Sequence, residues 1–358
     1  MRLTSLGISH LRNIEMLHLE LQPGINVFVG PNGGGKTSIL EGAYLLSHAQ
    51  SFRTGSVETV VSRGAEQMQL RGRVERDSGA MDLRLTRSKA GWTAQVNGGT
   101  VPSLADLLQE FAMVCLEPGS HALISGGSRE RRQFLDWGVF HVEPDFWADV
   151  RQYNRALRQR NAALKQLPAQ QELDTWDVAL VERALPVVAK RRRYFEGFQR
   201  ELEGMLRRFL PEMGEPQAVL DDGTHGTDLL EVLRARRALD ILRGHTSRGP
   251  HRADWRIAFQ SAPLREHLSR GQEKLCALAC VLAQAELFAH ARGEWPVIAL
   301  DDLASELDQE HQTSVMELAL STQAQLLITG TDLPAALQPF AAAARMFHVE
   351  HGKAYSLL

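Results

Sequence analysis

Eight consecutive residues constrain this chain more than any others: Gly30-Pro31-Asn32-Gly33-Gly34-Gly35-Lys36-Thr37. They satisfy the phosphate-loop pattern G-x-x-x-x-G-K-[ST] at every fixed position. The residues before them, Ile25-Asn26-Val27-Phe28-Val29, are short, apolar and β-branched, as a buried strand is. Those after them, Ser38 to Leu46, follow a helical period. A glycine-rich turn between strand and helix lets successive backbone N–H groups point inward at phosphate oxygens, and the helix N-terminus adds partial positive charge. The loop therefore predicts an ATP site in an α/β fold. Lys36 reaches the β- and γ-phosphates, and the Thr37 hydroxyl is a ligand for Mg²⁺.

A second set of residues lies near the other end of the chain. Trp295 to Leu300 reads as a buried strand that closes on Asp301-Asp302. A carboxylate at the C-terminal end of a strand beside a phosphate loop holds Mg²⁺ through water, which is the expected role of Asp301. Asp302 is placed to polarise an attacking water. Upstream of it, Leu268-Ser269-Arg270-Gly271-Gln272 opens a long apolar helix, with Ser269 and Gln272 at capping-box spacing. Such a first turn is an anion site in principle. Ser305-Glu306-Leu307-Asp308 follows the acidic strand, and Gln325 to Thr329 reads as one more core strand.

Between the two halves lies a long insert. Pro144 to Leu167 reads as a helix carrying Arg151, Arg155, Arg158 and Arg160, ended by Pro168. Glu172 to Leu210 reads as a second helix, interrupted near Pro186, with Lys190-Arg191-Arg192-Arg193 on it; Thr227 to Leu242 reads as a third. Residues 151–248 hold 18 Lys and Arg against 14 Asp and Glu, opposite in sign to the whole chain's net charge of -3. A basic arm of this kind either tracks a phosphate backbone or is a solvated face of ordinary charge pairs. With 358 residues, 44% apolar and 23% charged, the chain has the composition of a globular protein large enough for two lobes. Cys115, Cys276 and Cys280 make no disulfide framework, and no apolar run reaches the roughly 20 residues of a membrane span. A cytoplasmic location is expected. Cys276 and Cys280 share a helix face and read as buried thiols; His348 to Lys353 reads as strand, turn and strand.

The order of these motifs resembles that of the ABC-type ATPase heads. The resemblance implies a mixed sheet with flanking helices, and two heads that close over two ATP molecules. Ser269, Gly271 and Gln272 would then act in trans, and Asp308 would belong to a loop crossing the dimer interface. Where such heads carry a switch residue, often histidine, this chain has Thr329-Gly330-Thr331. Where they place a Mg²⁺-contacting glutamine, it has Glu117 and no glutamine.

Further segments, in order along the whole chain, resemble the RecF family. Ile8-Ser9-His10-Leu11-Arg12-Asn13-Ile14 resembles the segment opening RecF and SMC heads, which implies Arg12 and Asn13 near the nucleotide. Ser51-Phe52-Arg53-Thr54, Gly126-Gly127-Ser128-Arg129-Glu130-Arg131-Arg132-Gln133-Phe134-Leu135-Asp136 and Gly249-Pro250-His251-Arg252-Ala253-Asp254 complete the likeness. Ala253 stands where the family has an acid, and Arg129 follows Gly127-Ser128 without the family's proline. The resemblance implies an ATP-dependent homodimer that binds DNA, with RecR and RecO as partners in loading RecA, and weak ATPase activity as a timer. No membrane partner is implied. It divides the chain into a discontinuous ATPase head (1–136 plus 245–358) and an inserted all-helical arm (137–244). Arg151, Arg155, Arg158, Arg191, Arg192 and Arg193 are candidate DNA contacts. A transporter ATPase would carry its signature inside a smaller helical subdomain. A small-molecule kinase has no use for Ser269-x-Gly271-Gln272, and an SMC protein needs a far longer arm.

Overall fold

The structure, a computed structural model, describes residues 1–53, 57–143, 145–166, 170–224, 226 and 228–357. Thr54, Pro144, Leu167, Pro168 and Thr227, which entered the sequence reading, lie outside the described residues. Two compact units are present, Met1–His121 with Arg270–Leu358 and Ala122–Ser269. The boundaries differ from the expected 136 and 245: the insert is wider, and its end falls inside the signature, between Ser269 and Arg270.

Along the chain the strands are β1 (Arg2–Leu11), β2 (Ile14–Glu20), β3 (Ile25–Val29), β4 (Gln67–Arg76), β5 (Gly79–Ser88), β6 (Gly91–Val96), β7 (Gly99–Thr100), β8 (Met113–Leu116), β9 (Pro216–Asp221), β10 (Asp254–Phe259), β11 (Val297–Leu300), β12 (Leu326–Gly330), β13 (Arg345–Glu350) and β14 (Lys353–Leu357). The helices are α1 (Lys36–His48), α2 (Leu104–Leu108), α3 (Ala122–Ser125), α4 (Ser128–Val142), α5 (Phe146–Leu164), α6 (Gln170–Phe209), α7 (Leu229–Ala235), α8 (Arg237–Arg243), α9 (Arg270–Arg292), α10 (Leu303–Glu306) and α11 (Gln309–Ser321).

The first unit holds two sheets. One is antiparallel, in the order β2-β1-β4-β5-β6-β7. The other runs β14-β13-β3-β12-β11-β8; β13, β3, β12, β11 and β8 are parallel, and β14 closes the edge antiparallel to β13. The two faces explain the residue patterns. β3 and β11 are buried at every position, β11 as an unbroken apolar run and β3 as one interrupted only by the buried Asn26. β1 and β4 alternate, sending Leu3, Leu6, Ile8, Met68, Leu70 and Val74 inward. Helix α1 contacts β1 and β4 of one sheet and β8 and β12 of the other, so Ile39, Leu40, Ala43, Leu45 and Leu46 are fully buried. A helix buried on nearly all sides holds its N-terminus, the phosphate loop, in a fixed position. By length and composition α9 could cross a membrane, but 61% of its apolar window is buried in this fold, Cys276 and Cys280 included.

The second unit departs from the all-helical expectation. β9 and β10 pair antiparallel across 6 registered positions, and Trp255 from β10 packs edge-on against Phe198 of α6. The run at 216–221 was short and lay beside a Pro-Gly loop, so its partner 38 residues away was invisible to local pattern. Helix α6 runs its full 40 residues straight through Pro186, where an interruption was expected. An internal proline costs about 3 kcal/mol; here Leu180, Ala184, Val187 and Val188 are buried on both sides of it and hold the helix together. The expected third helix is two, α7 and α8, broken at Arg236.

The phosphate loop and its acidic strand

The phosphate loop lies in the first unit, between β3 and α1, as its sequence implied. Gly30 (φ 148°) and Gly34 lie against the backbone of β13, where a Cβ would come within 2.2 and 2.6 Å of the Val349 carbonyl oxygen. Only glycine fits a loop pressed this closely onto a neighbouring strand. The hairpin turn after β13 adds a hydrogen bond from the Gly352 N–H to the Gly34 carbonyl, 2.8 Å. Lys36 is buried and donates to the carbonyls of Gly30 (2.7 Å) and Pro31 (2.9 Å). Desolvation lowers its pKa, partly offset by Asp302 and Asp301. Lys36 thus spans the loop, with its ammonium against the very backbone that would face phosphates.

Asp301 follows β11 directly and is almost wholly buried. Its Oδ1 accepts from the Thr37 hydroxyl at 3.0 Å and from the Thr329 hydroxyl at 2.6 Å. Burial raises the Asp301 pKa, against the pull of those two hydrogen bonds. Parallel pairing of β8 with β11 ends at Leu116 and Leu300, so Glu117 stands beside Asp301 across the strand ends. Burial also raises the Glu117 carboxyl, and the nearby Asp301 charge adds to this. Two hard carboxylates and a threonine hydroxyl at the end of a buried sheet are a donor set suited to Mg²⁺ with its waters. Asp302 takes a left-handed conformation (φ 54°) at the start of α10; its backbone N–H donates to the Thr329 hydroxyl, and its carboxylate accepts from Ser305 at 2.6 Å.

Arg12 and Asn13, in the turn between β1 and β2, sit beside the loop in supporting positions. Asn13 donates to the Gly33 carbonyl (3.1 Å) and accepts from the Ser38 hydroxyl (3.1 Å). Arg12 forms a two-pronged pair with the fully buried Glu41 of α1 (2.9 and 2.7 Å) and bonds the Thr59 carbonyl. Glu41 also accepts from Ser51 at 2.5 Å. The sequence does not announce Glu41; Thr329, named from the sequence at the position of a switch residue, gains its hydrogen bond to Asp301 only in the fold. Glu41 was one acid in an amphipathic stretch, and its partners lie 29 and 10 residues away.

Gly271 lies in the first turn of α9, and Asp308 directly precedes α11. They line one recess of about 370 Å³ together with Arg270, Lys274, Leu275, Glu306 and Leu307. Lys274 pairs with Glu306 at 3.1 Å, tying α9 to the acidic loop. Asp308 caps α11 through the His311 N–H. Ser269 directly precedes α9 and Gln272 lies in its first turn.

In the second unit the arm arginines divide. Arg191 is buried, clamped on Asp136 at 2.7 and 2.8 Å and bonded to the Pro250 carbonyl. Arg192 pairs with Asp222, Arg193 with Glu143 and Lys190 with Asp149. Arg160 has no exposure and bonds Asp177, Asp240 and Thr246. The run Lys190 to Arg193 is therefore a set of charge pairs within the unit, and Arg191 is withdrawn as a DNA contact. Arg151, Arg155 and Arg158 are exposed, three and four residues apart on one face of α5.

The family model for the RecF/RecN/SMC N-terminal domain matches residues 2–354. The chain is 46% identical to "DNA replication and repair protein RecF" of Stenotrophomonas maltophilia, over 99% of each chain. It belongs to the RecF family. RecF of Xanthomonas euvesicatoria is 44% identical and that of Proteus mirabilis 36%, again over nearly full length. A solved structure described as the recombination mediator protein RecF-ATP in the RecFOR pathway is 25% identical, with a TM-score of 0.90 over 99% of this chain and 97% of that one. An SMC head bound to the winged-helix domain of ScpA shares the fold, with a TM-score of 0.60 at 15% identity over 100% of this chain and 98% of that one. The ABC-type ATPase head of RecF and SMC proteins, with a mixed sheet, flanking helices and a long helix in the insert, is thus the fold of this chain.

Proposed function

We propose that this RecF-family chain is an ATP-gated DNA-binding protein of recombinational repair and replication restart, acting as a head-to-head homodimer in the cytoplasm. The observation that carries the reading is the convergence of the Thr37 and Thr329 hydroxyls on one Asp301 oxygen at the base of the phosphate loop. ATP binding moves Lys36 from the loop carbonyls to the β- and γ-phosphates. Thr37 and Asp301 would hold Mg²⁺, whose charge would offset that of the phosphates, and Asp302 is placed to orient the attacking water. The Asn32 to Gly35 backbone cradles the phosphates, with Arg12 and Asn13 steadying the loop.

The γ-phosphate is completed by a second copy, whose Ser269, Gly271 and Gln272 close the site while Asp308 lines the contact. The recess shared by Gly271 and Asp308 supports this, because it puts both partner-facing segments on one surface. Each contact in trans adds charge-assisted hydrogen bonds. Hydrolysis removes the bridging phosphate, the dimer loosens and DNA is released. Slow, DNA-stimulated hydrolysis is then a timer. By family, the DNA is single-stranded or a junction of single and double strands, RecO and RecR are the partners in loading RecA, and the outcome includes SOS induction. The test is DNA affinity with ATP, with ADP and without nucleotide. Tight binding only with ATP, lost in Lys36→Arg, supports the reading; equal binding in all three states contradicts it.

A further inference from the structure

Two motifs of the second unit, 126–136 and 249–254, have no part in the ATP site. They meet in a recess of about 200 Å³ formed by α4, α5, α6 and the single turn Pro250–Arg252. Arg129, Arg132 and Asp136 come from one face of α4, at helical steps of three and four. Arg191 comes from α6, Tyr153 from α5 and His251 from the turn.

The charges in this recess do not balance. Both oxygens of Asp136 are taken up by Arg191, so this pair is neutral together. Nε2 of His251 faces the Thr246 carbonyl at 3.0 Å, which places its proton there. Nδ1 is then an acceptor, and the Tyr153 hydroxyl donates to it at 2.6 Å. Tyr153 and His251 thus form a neutral wall. Two cations remain. Arg132 is half-buried and spends one N–H on the Ala253 carbonyl at 2.6 Å. Desolvation lowers its pKa and the charge of Arg191 lowers it further, against the nearby carboxylates of Asp254 and Asp136, with Arg252 adding to the lowering. Arg129 stands exposed at the mouth and makes no ion pair among the described residues.

We propose that this recess is a phosphate-binding site, in which Arg129 and Arg132 clamp one phosphate group from a nucleic acid. Two guanidinium groups one helical turn apart offer donors from two directions, which suits a tetrahedral anion better than a flat carboxylate. Two positive charges match a terminal phosphate monoester; an internal phosphodiester takes the same donors with less charge.

The inference rests on DNA binding by this chain, and one set of titrations separates the two claims. Full-length protein with ATP and Mg²⁺ is titrated with labelled single-stranded oligonucleotides, with and without a terminal phosphate, across a salt series. Wild-type binding tests the function. The difference between wild type and the double variant Arg129→Gln, Arg132→Gln tests the recess. The variant loses about tenfold in affinity, and its slope of log affinity on log salt falls by about 0.7, the share of one phosphate on a single strand. Two arginines on two separate phosphates would cost about twice that slope. A preference for the phosphorylated end that vanishes in the variant assigns the recess to a chain end; equal losses on both oligonucleotides assign it to the internal backbone. The unfolding midpoint of the second unit, which carries both arginines, serves as the folding control. Should it fall, Arg129→Lys, Arg132→Lys keeps the charge without the forked geometry, and it loses affinity but not slope. A folded variant with wild-type affinity and slope overturns the site. So does a glutamate-rich peptide that binds wild type alone while DNA binding is untouched.

Discussion

The Thr329 hydroxyl donates to Oδ1 of Asp301 at 2.6 Å, on the oxygen that also accepts from Thr37. The same hydroxyl accepts from the Asp302 N–H at 2.8 Å. One buried side chain on β12 thereby ties together the phosphate loop, the acidic strand and the residue assigned to the attacking water. It occupies the region where related heads carry a switch residue.

Replacing Thr329 with valine keeps the shape and removes both hydrogen bonds. The half-buried Asp302 N–H is left unpaired, which costs about 1 kcal/mol in urea unfolding. ATP turnover falls more than ATP affinity, because the ground-state grip rests on the loop backbone. Thr329→Ser restores most of both. Full turnover in the valine variant would show that the linkage has no catalytic role.

Arg160 joins Asp177 and Asp240 with no solvent exposure on any of the three side chains. Arg160→Met leaves Asp240 charged and buried. Asp177 keeps Arg237 at 2.7 Å. The variant is expected to lose about 3–5 kcal/mol of stability, seen as an earlier unfolding transition of the second unit. ATP binding by isolated molecules at low temperature is retained, since the phosphate loop belongs to the other unit.

His251 provides a pH test. Burial lowers its pKa to about 4, with Arg252 and Arg132 adding to the effect against Asp240 and the Thr246 carbonyl. The unfolded chain therefore binds this proton first. Stability from His251 is complete above an ordinary histidine pKa of about 6.5 and is lost as pH falls toward 4, by up to about 1.4 kcal/mol per pH unit. In His251→Gln the denaturation midpoint falls less between these pH values than in wild type. Parallel curves for the two proteins would mean that His251 is hydrated in the folded state.

The phosphate loop and the acidic strand end were legible because their pattern is local. A phosphate loop needs its glycines and Lys36 within eight residues, and Asp301 announces itself at the end of an apolar strand. Glu41, the Thr329–Asp301 link and the Arg129–Arg132 recess were not legible, since each depends on partners from 10 to 121 residues away. The β9–β10 pair was hidden for the same reason. Arginine-rich runs misled in the opposite direction. Lys190 to Arg193 reads as a basic patch until the acids facing it, Asp149, Asp136, Asp222 and Glu143, are folded into place. Pro186 looked like a break, but burial on both sides outweighed its local cost.

The claim that ATP is shared between two copies is tested most directly by the sedimentation mass of Ser269→Arg with ATP and Mg²⁺. Ser269 precedes α9, and its replacement leaves the phosphate loop of the same chain intact. The variant should bind ATP as wild type does and remain a monomer, while wild type sediments as a dimer with ATP and as a monomer with ADP. A Ser269→Arg protein that dimerises on ATP to the same extent as wild type would contradict the shared site.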